Sequence, residues 1–411
     1  MLVDRIIESH LIEGEVRPGS FATVKVDRIY LQDGNSPTIA KMFSKHGLTE
    51  VFDPSRISVF FDHSVIWPNA EIAARIREAE AFCRSLGLTV YRGGEGISHV
   101  VAMEKGWYEP GSIVTGTDSH TCTGGANQAL ALGMGASDVL AAMITGATWL
   151  KVPETVVIEV TGKPHALTRP KDVVHYVLSQ YPQERFLYKS VEWTGEWVNG
   201  LTPAGADTVA NMAVEMGAKC AFLPPLAERH EGLRPISADA IDEGVEVIRV
   251  DITGLPPIIA KPHLPSNAVP VSECSGVAVN YVFVGSCTNS RLEDIAEVAR
   301  VLEGETVHPD VHMLVTPGSK QILLDAMRLG YIETLTRAGA VVTPPGCGAC
   351  LGTQGSIPAS GDRVLTTMNR NFLGRMGNKE AEIYLSSPLV AAHTALRGHI
   401  PTIESIEEGA P

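Results

Sequence analysis

Val277-Ala278-Val279-Asn280-Tyr281-Val282-Phe283-Val284 runs directly into Gly285-Ser286-Cys287-Thr288-Asn289-Ser290, and residues 291–302 follow with Leu292, Ile295, Ala299 and Leu302 at helical spacing. The apolar run reads as a strand, the small polar residues as a loop, and the last segment as a helix with one apolar face. The same unit returns downstream. Residues 312–315 read as strand and 319–329 as helix, while 340–342 read as strand and lead into Gly346-Cys347-Gly348-Ala349-Cys350-Leu351-Gly352. Residues 363–367 form another strand, running into Met368-Asn369-Arg370-Asn371-Phe372-Leu373-Gly374-Arg375-Met376-Gly377. A strand over 382–385 and a helix opened by Pro388, at the first-turn position that proline favours, complete the pattern. Strand, polar loop and helix in repetition predict a parallel α/β arrangement, with functional loops gathered at the carboxyl ends of the strands.

The first part of the chain repeats this grammar. Residues 21–26 alternate as a strand, Leu31-Gln32-Asp33-Gly34-Asn35-Ser36-Pro37 is rich in turn formers, and 38–47 read as a helix with Ile39, Met42 and Phe43 on one face. Val59-Phe60-Phe61 stops at Asp62-His63, a helix spans 69–86, and a strand over 88–91 leads to Gly93-Gly94-Glu95-Gly96-Ile97-Ser98-His99. A strand over 113–116 ends in Asp118-Ser119-His120-Thr121. The apolar stretch 126–150 is broken by Asn127, Gln128, Gly133, Gly135, Ser137, Asp138 and Thr145, so it reads as one or two buried helices and not as a membrane span. Its glycines, from Gly124-Gly125 to Gly135, match neither a dinucleotide fingerprint nor a phosphate-binding loop, and helix packing is their expected use.

These elements predict three α/β domains, 1–162, a smaller 163–253 and 276–411, with the cluster of functional loops at their interface. A strand is expected at 154–160, closing the first domain. In the second, a helix spans 171–181, a strand-like segment spans 187–193, and a helix starts near Asp207 on which Asn211 and Glu215, four apart, share a face. Residues 254–275, with Pro256, Pro257, Pro262, Pro265 and Pro270, read as a stiff extended linker.

The chain has 411 residues, 44% of them hydrophobic and 19% charged, which suits a folded multidomain protein and argues against disorder. A net charge of −14 leaves no basic surplus to neutralise phosphates, so a dedicated nucleic-acid binder is disfavoured. Seven cysteines are too few for a disulfide scaffold, and their clustering suits a reducing compartment, so a cytoplasmic location is expected. Met1-Leu2-Val3-Asp4-Arg5-Ile6-Ile7-Glu8 puts acids where an export signal needs a basic start.

Cys287, Cys347 and Cys350 sit on loops of small, flexible residues. Such loops let backbone approach a metal or an iron–sulfur cluster and donate N–H groups to it, and a cluster held by three thiolates keeps one iron open for chemistry. Three other uses are open to such thiols. The thiols could be plain core residues, as Cys83, Cys220 and Cys274 are expected to be; a structural zinc would want a fourth ligand; and a redox pair would want an aromatic neighbour that this C-x-x-C lacks. The cluster stands first. His63, His99 and His120 at or near strand ends are candidates for proton transfer or carboxylate binding. Arg370 and Arg375, in a loop with Asn369 and Asn371, are candidates for a carboxylate clamp, because guanidinium forks match carboxylates.

Three motifs carry a family resemblance: Val284-Gly285-Ser286-Cys287-Thr288-Asn289-Ser290, Pro345-Gly346-Cys347-Gly348-Ala349-Cys350-Leu351-Gly352, and residues 369–377. Through them, and through collinear matches at Asp62-His63, Gly96–His99, Gly116–Thr121 and Asn211–Ala218, the chain resembles the large-subunit group of 3-isopropylmalate dehydratases and homoaconitases in the aconitase superfamily. The resemblance implies an aconitase-type α/β fold with parallel or mixed sheets flanked by helices. It implies one [4Fe-4S] cluster per chain on Cys287, Cys347 and Cys350, whose open iron binds the substrate hydroxyl and a carboxylate. It gives Asp62, His63, His99, Asp118, His120 and Glu215 to catalysis, with Asp62 and His63 protonating the departing hydroxyl. Gln32, Ser119, Arg370 and Arg375 fall to substrate binding, and Asn211, Asn289 and Asn369 to cluster contacts. The swivelling fourth domain that supplies a serine base in single-chain aconitases is expected on a separate small subunit, because this chain stops at Pro411.

The implied activity is dehydration and rehydration of a hydroxy di- or tricarboxylate. The first expectation is 3-isopropylmalate, in leucine biosynthesis, and homoaconitate or another malate-type acid is the alternative. Val100, Ala206 and Leu223-Pro224-Pro225 depart from the family pattern, which leaves the reaction type firmer than the substrate. Two readings of other classes stand beside it. RNA binding by a cluster-free form is opposed by the acidic charge, and a structural zinc protein is to be tested by metal content.

Overall fold

The computed structural model describes residues 1–226 and 241–409. Tyr281–Val284 is buried at every position, as an unbroken apolar run requires of a strand covered on both faces. Arg363–Thr366 flanks it on one side and His312–Val315 on the other, both parallel. They belong to a seven-stranded sheet ordered Ala268–Pro270, Ile258–Ala260, Glu382–Leu385, Arg363–Thr366, Tyr281–Val284, His312–Val315, Val341–Val342. The last five are parallel, and the first two form an antiparallel hairpin that joins through Ala260 and Leu385. Part of the proline-rich stretch expected as a linker is thus this hairpin, and Pro270 stands in its edge strand, where a missing N–H is tolerated.

A five-stranded parallel sheet runs Thr89–Tyr91, Ile57–Phe60, Arg28–Gln32, Ile113–Gly116, Leu130–Gly133. A four-stranded parallel sheet, second in chain order after the five-stranded one and before the seven-stranded third, runs Cys220–Phe222, Ser190–Thr194, Thr155–Thr161, Glu246–Asp251. Thr155–Thr161, expected to close the first unit, is therefore a central strand of the second sheet. A small antiparallel sheet of Leu11–Gly14, Phe21–Lys25 and Ala147–Lys151 completes the set.

The stretch 126–150 differs from its expectation. It holds the strand Leu130–Gly133, one helix, Ala136–Thr145, and the strand Ala147–Lys151. Gly124 and Gly125 lie in a 3₁₀ segment, Ser119–Asn127, and a Cβ on Gly125 would stand 1.6 Å from the Ala221 carbonyl oxygen. The glycine lets this segment pack on a strand, not two helices on each other. The helix Tyr331–Arg337 was not anticipated. Among the described residues, no helix is long and apolar enough to cross a membrane.

The three large sheets each carry an apolar cluster, and short polar ties clamp them together. Ile97 N–H donates to the Gly318 carbonyl at 2.8 Å, Leu223 N–H to that of Gly125 at 3.2 Å, and Thr208 Oγ1 to that of Thr288 at 3.0 Å. Within each parallel sheet the carboxyl ends of the strands share one edge. The loops from the first and third sheets, and the end of the helix Pro203–Asn211, meet in one cleft.

Candidate active site

One wall of the cleft is sulfur. Cys287 lies three residues past Tyr281–Val284, behind Ser286, whose φ of +77° is a left-handed conformation usually left to glycine. Cys347 and Cys350 follow Val341–Val342, and Gly348 at φ +58° keeps free a space where a Cβ would press to 2.5 Å of Thr316 Oγ1. All three thiols are buried. Burial pushes Cys287 up to about 12 and Cys347 well above the ordinary thiol range, so without a metal those two sulfurs stay protonated. Two side chains of one loop reach them: Asn369 Nδ2 donates to Cys287 Sγ at 3.4 Å and Arg375 Nη2 to Cys350 Sγ at 3.2 Å.

The opposite wall is a chain of histidines and carboxylates. Asp62 accepts from Ser98 N–H at 2.7 Å through one oxygen and contacts His63 Nδ1 at 2.7 Å through the other. The first contact places a carboxylate at the start of the helix Ser98–Glu104, where the helix dipole favours it. It also explains why His99 lies on a helix and not in the expected loop. His63 Nδ1 is 3.4 Å from Asp33 Oδ1, and its Nε2 is 3.8 Å from Asp118 Oδ2. Burial works against a charged His63, but the Asp62 carboxylate and the hydrogen bonds to Asp33 and Asp62 raise it well above the usual histidine range.

Asp118 accepts from His120 N–H at 2.7 Å and meets His99 Nε2 at 3.0 Å. Burial alone would raise its carboxyl, yet His120 and His99 hold it well below the ordinary range. His120 Nε2 pairs with Glu215 at 2.9 Å, and Arg370 Nε pairs with the same carboxylate at 2.9 Å. Burial opposes ionisation of Glu215 too, and those two partners lower it. Asn211 accepts from Thr288 Oγ1 and from Asn369 Nδ2, both at 3.1 Å, while donating to Thr123 at 2.8 Å.

The cleft therefore gathers most of the residues expected there. Gln32, at the end of the central strand, donates to Ser98 Oγ at 2.8 Å, and Ser119 Oγ lies 3.4 Å from His120 Nδ1. Asn289 stands apart: its amide donates to Asp294 at 3.0 Å, behind the sulfur wall, and joins the site only through its own loop. Sequence reasoning missed three groups. Asp33 accepts from the N–H groups of Gly34, His63 and Ser64, and the acidic residue of a turn-rich loop was the available signal. Tyr30 fixes His99 Nδ1 at 2.7 Å and is itself joined to Tyr108. Lys171, fully buried, donates to the carbonyls of Thr367 and Met368, just before Asn369, and burial pulls its ammonium down to about 7.

Three observations bear on a metal centre. Asn369 Oδ1 and Arg375 Nε are buried polar atoms with no protein partner, although both side chains already reach a sulfur. Positive φ at Gly348 and Ser286 curves the two sulfur loops around shared space. Among the described residues the three cysteines do not make a group tight enough for one ion, whereas Asp62, His63 and Cys347 do. A structural zinc on the three thiols is disfavoured, and a polynuclear centre fits the donor set.

A family model, "Aconitase family (aconitate hydratase)", matches residues 4–235 and 227–398. The chain belongs to the aconitase family. It is an enzyme of the hydro-lyase class, and an aconitase-family site implies an iron–sulfur cluster. Its relatives include the 3-isopropylmalate dehydratase large subunit of Halothermothrix orenii, 38% identical over 98% of this chain and 99% of the relative. The protein of the same description from Elusimicrobium minutum is 39% identical over 97% of each chain. Among solved structures, aconitase X of Thermococcus kodakaraensis covers 85% of this chain and 84% of its own at a TM-score of 0.56 and 14% identity, a likeness of fold.

Proposed function

We propose that this protein is the large subunit of a 3-isopropylmalate dehydratase, acting in the cytoplasm and divided into three α/β domains around one cleft. The observation that carries the proposal is the convergence on the sulfur wall: one loop sends Asn369 to Cys287 and Arg375 to Cys350, while the Asp62–His63 pair faces Cys347. Cys287, Cys347 and Cys350 would hold a single [4Fe-4S] cluster, with Asn211, Asn289 and Asn369 supporting its loops. Bound there, the cluster would supply Lewis acidity toward a hydroxyl and a carboxylate of the substrate.

The chain's own residues do the rest. His63, held protonated by Asp62 and Asp33, presents its Nε2 proton to the departing hydroxyl. Asp118 stays ionised beside it, oriented by His99 and His120, and so stabilises the imidazolium. Glu215 fixes both His120 and Arg370 by charge-assisted bonds, which aims the rest of that guanidinium into the cleft. Arg370, Arg375, Gln32 and Ser119 bind and orient the carboxylates. The base that takes the carbon-bound proton comes, in this proposal, from a separate small subunit bearing the swivelling domain. The designation "large subunit" among relatives matched end to end supports that partner.

The test is anaerobic cluster reconstitution with the small subunit, followed by hydration assays over a panel of unsaturated diacids. Highest turnover on the 3-isopropylmalate pair is expected. Preference for a homoaconitate-type or unbranched malate-type acid would replace the substrate and leave the hydro-lyase in place.

A further inference from the structure

We propose that the cluster-free chain carries a mononuclear site for a zinc-type divalent cation, built from Asp62, His63 and Cys347. One carboxylate oxygen, one ring nitrogen and one sulfur lie within 4.8 Å of one another. Three such donors with a fourth position left to water are a coordination set that zinc accepts. The mix of sulfur and nitrogen selects borderline-soft ions over Mg²⁺ and Ca²⁺, which prefer oxygen throughout.

The site is preformed. Asp62 and His63 follow the strand Ile57–Phe60 of the first sheet, and Cys347 follows Val341–Val342 of the third, yet three hydrogen bonds fasten one segment to the other. Cys347 N–H donates to the Asp62 carbonyl at 2.9 Å, Gln354 Nε2 to the same carbonyl at 3.3 Å, and Thr353 Oγ1 to that of His63 at 2.7 Å. Gly346 permits this approach, since a Cβ there would lie 2.6 Å from Val65 Cγ2 and 3.0 Å from the Asp62 oxygen. Asp62 is additionally fixed by Ser98 N–H, so little conformational freedom is left for an ion to remove.

Binding exchanges the Cys347 S–H bond and one ring N–H bond of the protonated His63 for bonds to the metal and releases both protons to solvent, with no change of oxidation state. Cys287 and Cys350 take no part. Because Cys347 is also a cluster ligand in the function proposed above, ion and cluster compete for one sulfur, and the bound ion keeps the chain cluster-free.

The test uses the full cluster-free chain under argon, titrated with Co²⁺ as a coloured zinc analogue. One Co²⁺ per chain is expected, with a sulfur-to-cobalt charge-transfer band. Cys347→Ser and His63→Ala should weaken binding by about a hundredfold or more, at least what loss of a supporting group costs a metal site, while Cys287→Ser and Cys350→Ser leave it within about threefold. Preloading with Zn²⁺ should slow uptake of iron and sulfide, and a chelator should restore it. X-ray absorption on the unmodified chain needs no variant, and one sulfur in the metal's coordination sphere is expected. Two or three sulfurs, equal loss in Cys287→Ser and Cys347→Ser, no Co²⁺ binding tighter than about 0.1 mM, or unchanged cluster uptake after Zn²⁺ would overturn the proposal. Every readout is independent of turnover, so failure here leaves the dehydratase assignment to its own assay.

Discussion

His63 is held protonated by its neighbours on the Nδ1 side, Asp62 at 2.7 Å and Asp33 at 3.4 Å, which leaves Nε2 as the edge that can give up a proton. Replacing Asp33 by Asn removes a charge but keeps the shape, so the folded histidine titrates at a lower pH. A group that must be protonated to donate then loses its proton earlier. The alkaline limb of the dehydration pH profile should therefore move to lower pH in Asp33→Asn, read from kcat against pH in the reconstituted enzyme; an unmoved limb would take the proton from elsewhere. Arg375 offers a second test. Its Nη2 serves Cys350 and its buried Nε lacks a protein partner, so the fork has donors left for a carboxylate. Lysine keeps the charge and loses the fork. Removing a hydrogen bond to a charged group costs about 1.5–3 kcal/mol, so Arg375→Lys should lower kcat/KM by roughly 10- to 100-fold.

Between the first and second sheets, contact depends on a backbone with no side chain. A methyl on Gly125 would meet the Ala221 carbonyl at 1.6 Å, and that oxygen belongs to a strand that cannot retreat cheaply. Gly125→Ala should destabilise by about 3 kcal/mol or more, measured by denaturant unfolding, whereas Gly200→Ala, whose nearest neighbour would lie at 3.6 Å, should stay within about 0.5 kcal/mol. This contact also marks the limit of what was legible in the sequence. His312–Val315 and Glu382–Leu385 lie where their apolar runs predict them, because a short buried strand bounded by polar loops announces both its ends. Leu130–Gly133 was hidden because a strand buried on both faces has no period to tell it from a buried helix. The membership of Thr155–Thr161 in the second sheet was hidden for another reason, since pairing with Ser190–Thr194 and Glu246–Asp251 is non-local. For the site, residue types on loops could be read: thiols between glycines, histidines beside acids, two arginines among asparagines. What could not be read was who meets whom. Tyr30 behind His99, and Lys171 beneath the loop of Asn369, are ordinary strand and helix residues until the sheets are docked.

At the scale of the whole molecule, the cleft supplies an acid but is rich in groups that oppose a free base. His63 is held protonated, Asp118 is held ionised by His99 and His120, and Glu215 is committed to His120 and Arg370. A carboxylate stabilised this strongly is a weak base, because its affinity for a proton has been spent on its partners. Abstraction of a carbon-bound proton needs a group of higher basicity, in a cleft closed to water. The small subunit invoked above would provide both. If so, the cluster-loaded large subunit alone should bind hydroxy diacids yet turn them over at least about a hundredfold more slowly, the lower bound for losing a proton-transfer group. Activity should then rise with added small subunit and saturate at one small chain per large chain, while substrate binding, read by perturbation of the cluster spectrum, changes far less. Full turnover by the large chain alone would mean that one of the two paired carboxylates, Asp118 or Glu215, escapes its partner during the reaction.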